Sequence, residues 1–138
     1  MVIQYLFLLH TLILQAVNPL TSSEAAIWLK QKEHKNIPII DAREYESFRK
    51  GHLKRAINID ATSTQAPIIF KEYLHHESLF IYCNTHRRAG IAIELLKEAG
   101  YTGNIYLMSD GISGWKENKL PIKKPPFFLN LLRRTSFQ

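Results

Sequence analysis

Cysteine is almost absent from this chain: Cys83 is the only one in 138 residues. A single thiol excludes an intrachain disulfide and argues against a cysteine-based zinc site. Charge is missing from the first stretch, because Met1 to Leu20 contains no Lys, Arg, Asp or Glu. Its most apolar run, Tyr5 to Leu14, is shorter than the ~20 residues needed to span a bilayer. It also lacks the cationic start of an ordinary secretory signal, although Leu14-Gln15-Ala16 offers a small-residue cleavage pattern. Residues 1–19 are therefore expected to act in export or membrane association. The alternative is a cytoplasmic protein in which they form an extra packed helix. Internal repeats, low-complexity tracts and nucleic-acid recognition motifs are missing too, so nucleic acid is not an expected partner.

What is present suits one globular domain. Hydrophobic residues make up 46% and charged residues 22%, enough apolar surface for a single core at this length. Eighteen Lys and Arg against twelve Asp and Glu give a net charge of +6. A basic surface favours anionic small molecules, acidic partners or anionic membranes.

The chain alternates between two periodicities. Thr21-Ser22-Ser23-Glu24 has the form of a capping box, and Ala25, Trp28 and Leu29 follow on one helical face. Pro38 to Ala42 and Ala56 to Ile59 read as short buried strands, and Pro67 to Leu74 as a short helix. Leu79 to Tyr82 is predicted as the central strand. Ile91, Ala92, Leu95, Leu96 and Ala99 mark a helix closed by Gly100, and Asn104 to Met108 a last strand. This order predicts an α/β fold with a mostly parallel sheet and helices on both faces. Ligands bind such sheets at the carboxyl ends of the strands, where Asp41, Cys83 and Asp110 fall. Lys123-Lys124-Pro125-Pro126 marks the domain end, and residues 123–138 form a basic and apolar tail that is either an interfacial helix or a docked terminus.

Cys83 stands between a strand and a helix, followed by Asn84-Thr85-His86-Arg87-Arg88. A thiol attacks as its thiolate, and free amides at a helix N-terminus stabilise that anion. The competing reading is a buried structural cysteine, but packing alone does not require a polar, cationic loop behind the thiol. His75 and His76 lack a chelating spacing. These residues need neither a metal nor a cofactor.

Four ordered blocks resemble the rhodanese domain, a family of sulfurtransferases. Ile40-Asp41-Ala42-Arg43-Glu44 leads through Phe48 to Gly51-His52-Leu53, and Ala56-Ile57-Asn58-Ile59 follows. Tyr82-Cys83 through Arg88 is similar to the family's active-site loop, and Gly100-Tyr101 and Gly111 with Trp115 complete the pattern over residues 20–122. The resemblance implies a five-stranded sheet and a Cys83 persulfide, formed from a small anionic donor such as thiosulfate and passed to a thiol, cyanide or protein acceptor. It implies that Asn84, Thr85, His86, Arg87 and Arg88 bind substrate, through backbone amides and through the two guanidinium groups. It implies structural support from Asp41, Arg43 and His52, with Arg43 paired to Glu44 or Glu46.

Three positions depart from the pattern. His86 and Arg55 stand where the family has glycine, and Asp110 replaces the first of two closing glycines, near the rim expected to receive anionic donors. Two other functions compete: a non-catalytic interaction module, and an oxyanion-processing enzyme such as a phosphatase. The four residues between Cys83 and Arg88 match the tight loop of the sulfurtransferases; related phosphatases of this fold have one more.

Overall fold

Thr21 starts the first helix as the capping box predicts. Its hydroxyl accepts from the Glu24 amide at 3.3 Å, and its own amide donates to Glu24 Oε2 at 2.7 Å. The computed structural model describes residues 16–125. Five strands alternate with five helices: β1 (Val17–Leu20), α1 (Ser22–Trp28), β2 (Ile39–Asp41), α2 (Tyr45–Lys50), β3 (Ala56–Asn58), α3 (Ala66–Phe70), β4 (Ser78–Tyr82), α4 (Arg87–Glu98), β5 (Asn104–Met108) and α5 (Gly111–Glu117). The strands form one sheet in the order β1-β5-β4-β2-β3, and every pairing is parallel. The α/β architecture, its five strands and the central place of β4 are those expected from the sequence.

Period-2 alternation divides the core. Leu79, Ile81 and Cys83 join Ala89, Ala92, Ile93 and Leu96 of α4 and Ala66 and Phe70 of α3 on one face. Phe80 and Tyr82 turn to the other face and pack with Ala25, Ala26, Ile112 and Trp115 from α1 and α5. Burial on both faces explains why β4 reads as a continuous apolar run. The end of α4 also follows its sequence signal. Gly100 takes φ 91, and the Gly100 and Tyr101 amides donate to the Lys97 and Leu96 carbonyls.

Two boundaries shift. The sequence reading gives residues 1–19 to an apolar segment, whereas Val17–Leu20 is the edge strand β1, in register with Ile105 to Met108. Pro19 tells against a strand in sequence, but an edge strand has one side that needs no donor. The expected tail contributes as well: His52 and Lys123 exchange backbone hydrogen bonds of 3.0 and 2.8 Å. The apolar run Tyr5 to Leu14 and the tail beyond residue 125 lie outside the described residues. Among those described, no helix is long and apolar enough to cross a membrane.

Candidate active site

Cys83 leaves the sheet at the carboxyl end of its central strand. Its place in the alternation turns the side chain toward α4, and the residue is 2% exposed. Asn84, Thr85 and His86 bridge to α4 and are all exposed. His86 occupies the N-cap with φ −145°, an ordinary negative value, so this position does not call for glycine. Its side chain makes no capping bond, and the first helical bond runs from the Gly90 amide to the His86 carbonyl at 2.9 Å. The amides of Arg87, Arg88 and Ala89 therefore have no acceptor among the described residues. Three free donors and the positive end of a 12-residue helix follow the thiol after this three-residue bridge.

The start of α5 fixes the loop from behind. The Ile112 amide donates to the Cys83 carbonyl at 2.9 Å, and the Ser113 amide to the Asn84 carbonyl at 3.0 Å. Gly111 makes this approach feasible: it has φ 61, and a Cβ there would stand 2.3 Å from the Asn84 carbonyl oxygen. Gly111→Ala is expected to lower stability by about 2 kcal/mol or more, since left-handed strain alone costs about 1–3. Urea unfolding would measure the loss, and an unchanged midpoint would contradict the close packing.

Asp110 directly precedes Gly111, and its side chain is engaged with α1. Its carboxylate accepts the Ser22 amide at 2.8 Å and the Ser22 hydroxyl at 2.7 Å. The charge anchors the first turn of α1. The expected partner of Arg43 changes. Arg43 pairs with Asp41, not with Glu44 or Glu46, at Nη2–Oδ2 2.7 Å and Nε–Oδ1 2.9 Å. Both residues are buried, at 3% and 0% exposure. Arg43 also donates to the Gly51 carbonyl at 2.7 Å, while Asn58 Nδ2 donates to the Arg43 carbonyl at 2.6 Å and the Asp41 carbonyl at 3.1 Å. This network fixes the carboxyl end of β2 beside β4, where the Ala42 amide bonds the Tyr82 carbonyl. Burial, with the Asp41 charge adding to it, pushes the Tyr82 phenol far up, so it stays neutral and accepts the Leu53 amide.

Glu44 takes a role that the sequence did not reveal. Its Oε2 lies 2.6 Å from Arg88 Nη1, and its other oxygen accepts the Ser47 hydroxyl. The Ser47 bond, Glu44's own amide and the nearby Arg88 and Arg43 charges hold this carboxyl below the usual glutamate range. Arg88 is thus charge-compensated. Arg87 is exposed and has no ion-pair partner among the described residues. His52 stands apart, its ring stacked on Phe48 at 3.8 Å and its Nδ1 donating to the Phe48 carbonyl. Sequence separation hid the Glu44–Arg88 pair, because the two residues stand at the starts of helices α2 and α4, which follow the neighbouring strands β2 and β4.

Residues 24–118 match the sequence model of the Rhodanese-like domain. The chain belongs to this family. The thiosulfate sulfurtransferase PspE of Escherichia coli is 35% identical over 63 residues, 46% of this chain and 61% of PspE. An uncharacterized protein of Buchnera aphidicola is 30% identical over 86 residues, 60% of this chain and 58% of that protein. The matches thus span about three fifths of either relative. Among solved structures, a thiosulfate sulfurtransferase from Pseudomonas aeruginosa superposes with a TM-score of 0.65 at 16% identity. The likeness covers 80% of this rhodanese-like chain and 21% of that one, and it shows the shared fold.

Proposed function

We propose that this rhodanese-like domain is a sulfurtransferase that carries sulfur as a Cys83 persulfide. The observation that carries the reading is the thiol at the head of the central strand, followed by three acceptor-free amides of α4. Its relation to a thiosulfate sulfurtransferase supports the same chemistry. The Cys83 thiolate attacks the outer sulfur of thiosulfate, a new S–S bond forms, and the old S–S bond breaks to release sulfite with its electron pair. The terminal persulfide sulfur, an anion, sits where helix amides and the dipole favour negative charge. A nucleophile such as cyanide or a thiol then attacks that sulfur and restores the thiolate, giving two half-reactions and ping-pong kinetics.

Intact-protein mass spectrometry tests this directly. Incubation with thiosulfate should add one sulfur atom, and cyanide should remove it. No gain with thiosulfate or with an organic persulfide would overturn the reading in favour of a binding module.

The two loop arginines are expected to differ. Arg87→Ala should raise the KM for thiosulfate by roughly tenfold, the scale of one charge-assisted hydrogen bond, and leave an uncharged donor such as a dialkyl trisulfide almost unaffected. Arg88→Ala should have a smaller effect, because Glu44 already compensates that charge. Steady-state kinetics with both donors decide the point, and equal sensitivity to both donors would argue against anion binding by Arg87.

A further inference from the structure

The other face of the sheet contains a pocket that sulfur transfer does not use. Its volume is about 190 Å³. Ala26, Leu29, Ile39, Leu53, Trp115, Leu120 and Pro121 give it apolar walls, and its remaining lining residues are Lys30, Lys54 and Arg55. No acidic residue lines it. Ile39 opens β2 at the amino edge of the sheet and stands opposite Phe80, three residues before Cys83. Roughly 10 Å of strand therefore separates the pocket floor from the thiol, and the two lie on opposite sheet faces.

The walls are held rigidly. Trp115 Nε1 donates to the Pro121 carbonyl at 3.0 Å, and the Leu120 amide to the Trp115 carbonyl at 3.1 Å. The chain turns back there through Lys119 at φ 54. Arg55 is the other non-glycine residue with positive φ among those described, at φ 68, and its guanidinium donates to the Lys35 carbonyl. Both left-handed positions thus adjoin this pocket, and both hold a basic residue where glycine would fit with less strain. Such strain persists where the surrounding structure holds it, and it concentrates at binding sites.

We propose that this pocket binds a small carboxylate with an aliphatic or single-ring body. A cavity of about 150 Å³ accommodates a benzene ring, so this one holds a body of six to eight carbons. Lys30, Lys54 and Arg55 meet the carboxylate at the rim. The three cations set the sign of the ligand's charge and the apolar walls set its body; together they select an amphipathic anion over a neutral hydrocarbon or a sugar.

The full chain titrated with octanoate, followed by tryptophan fluorescence and amide chemical shifts, tests the proposal. Saturable binding is expected, with octanoate at least tenfold tighter than 1-octanol and shifts centred on Ala26, Leu53 and Leu120. Arg55→Gly, which suits the left-handed backbone, should weaken octanoate roughly tenfold and leave octanol binding and persulfide formation unchanged. Equal affinity for octanoate and octanol would overturn the assignment, as would shifts confined to residues 84–88. So would the absence of saturation in the parent chain.

Discussion

Replacing Cys83 with Ser should abolish the thiosulfate-dependent gain of sulfur completely. The chain has one cysteine, so any sulfur that survives cyanide-sensitive mass analysis in Cys83→Ser must reside somewhere other than the proposed nucleophile. A hydroxyl at the same place is a far weaker nucleophile than a thiolate and forms no persulfide. The fold should tolerate the change with a loss of about 1 kcal/mol, near the centre of the usual range for point variants. The side chains are similar in volume, and the sulfur-to-oxygen change leaves no large cavity. Thermal melts on the same samples separate loss of chemistry from loss of structure. Retained turnover would remove Cys83 from the mechanism.

The second large effect concerns stability. Asp41→Asn should destabilise the domain by about 3–5 kcal/mol, because it leaves the Arg43 guanidinium buried without its counter-charge. At this chain length that corresponds to a fall in melting temperature of roughly 10 °C or more. Adding Arg43→Met should recover much of the loss, since a well-packed apolar side chain in place of a buried ion pair is often neutral or better. The double variant also controls for mere shape, because Met fills much of the volume that Arg43 occupied. A loss below about 1 kcal/mol for Asp41→Asn alone would mean that Gly51 and Asn58 hold β2 without the ion pair. In the cold, where Asp41→Asn remains folded, persulfide formation should persist, because Asp41 bonds Arg43 and not the thiol.

Much of this molecule was legible in one dimension because the signals were local. The capping box of Thr21 and Glu24, the Gly100 stop and the two-sided run Leu79 to Tyr82 each depend on neighbours within a few residues. The same locality places the thiol, since a strand that ends at Tyr82 and a helix that begins at Arg87 leave Cys83 between them. The alternation of β4 even assigns it a face, with Leu79 and Ile81.

The partners of the charged groups were not legible. Arg43 has Glu44 as its neighbour in sequence yet bonds Asp41, because a side chain two residues away along a strand end lies on the same face. Glu44 is thereby left for Arg88, which β4 delivers next to β2 from 44 residues away. The Ser22 partner of Asp110 was likewise hidden until the pairing of β1 with β5 set α1 beside it. Residue type, helix signals and the position of the thiol follow from the sequence alone, because they rest on short-range periodicity and chain stereochemistry. Which arginine lacks an ion-pair partner, which group each carboxylate meets and where the apolar pocket opens were decided only by tertiary structure, because charge pairing and concavity depend on distances across strands that no sequence spacing records.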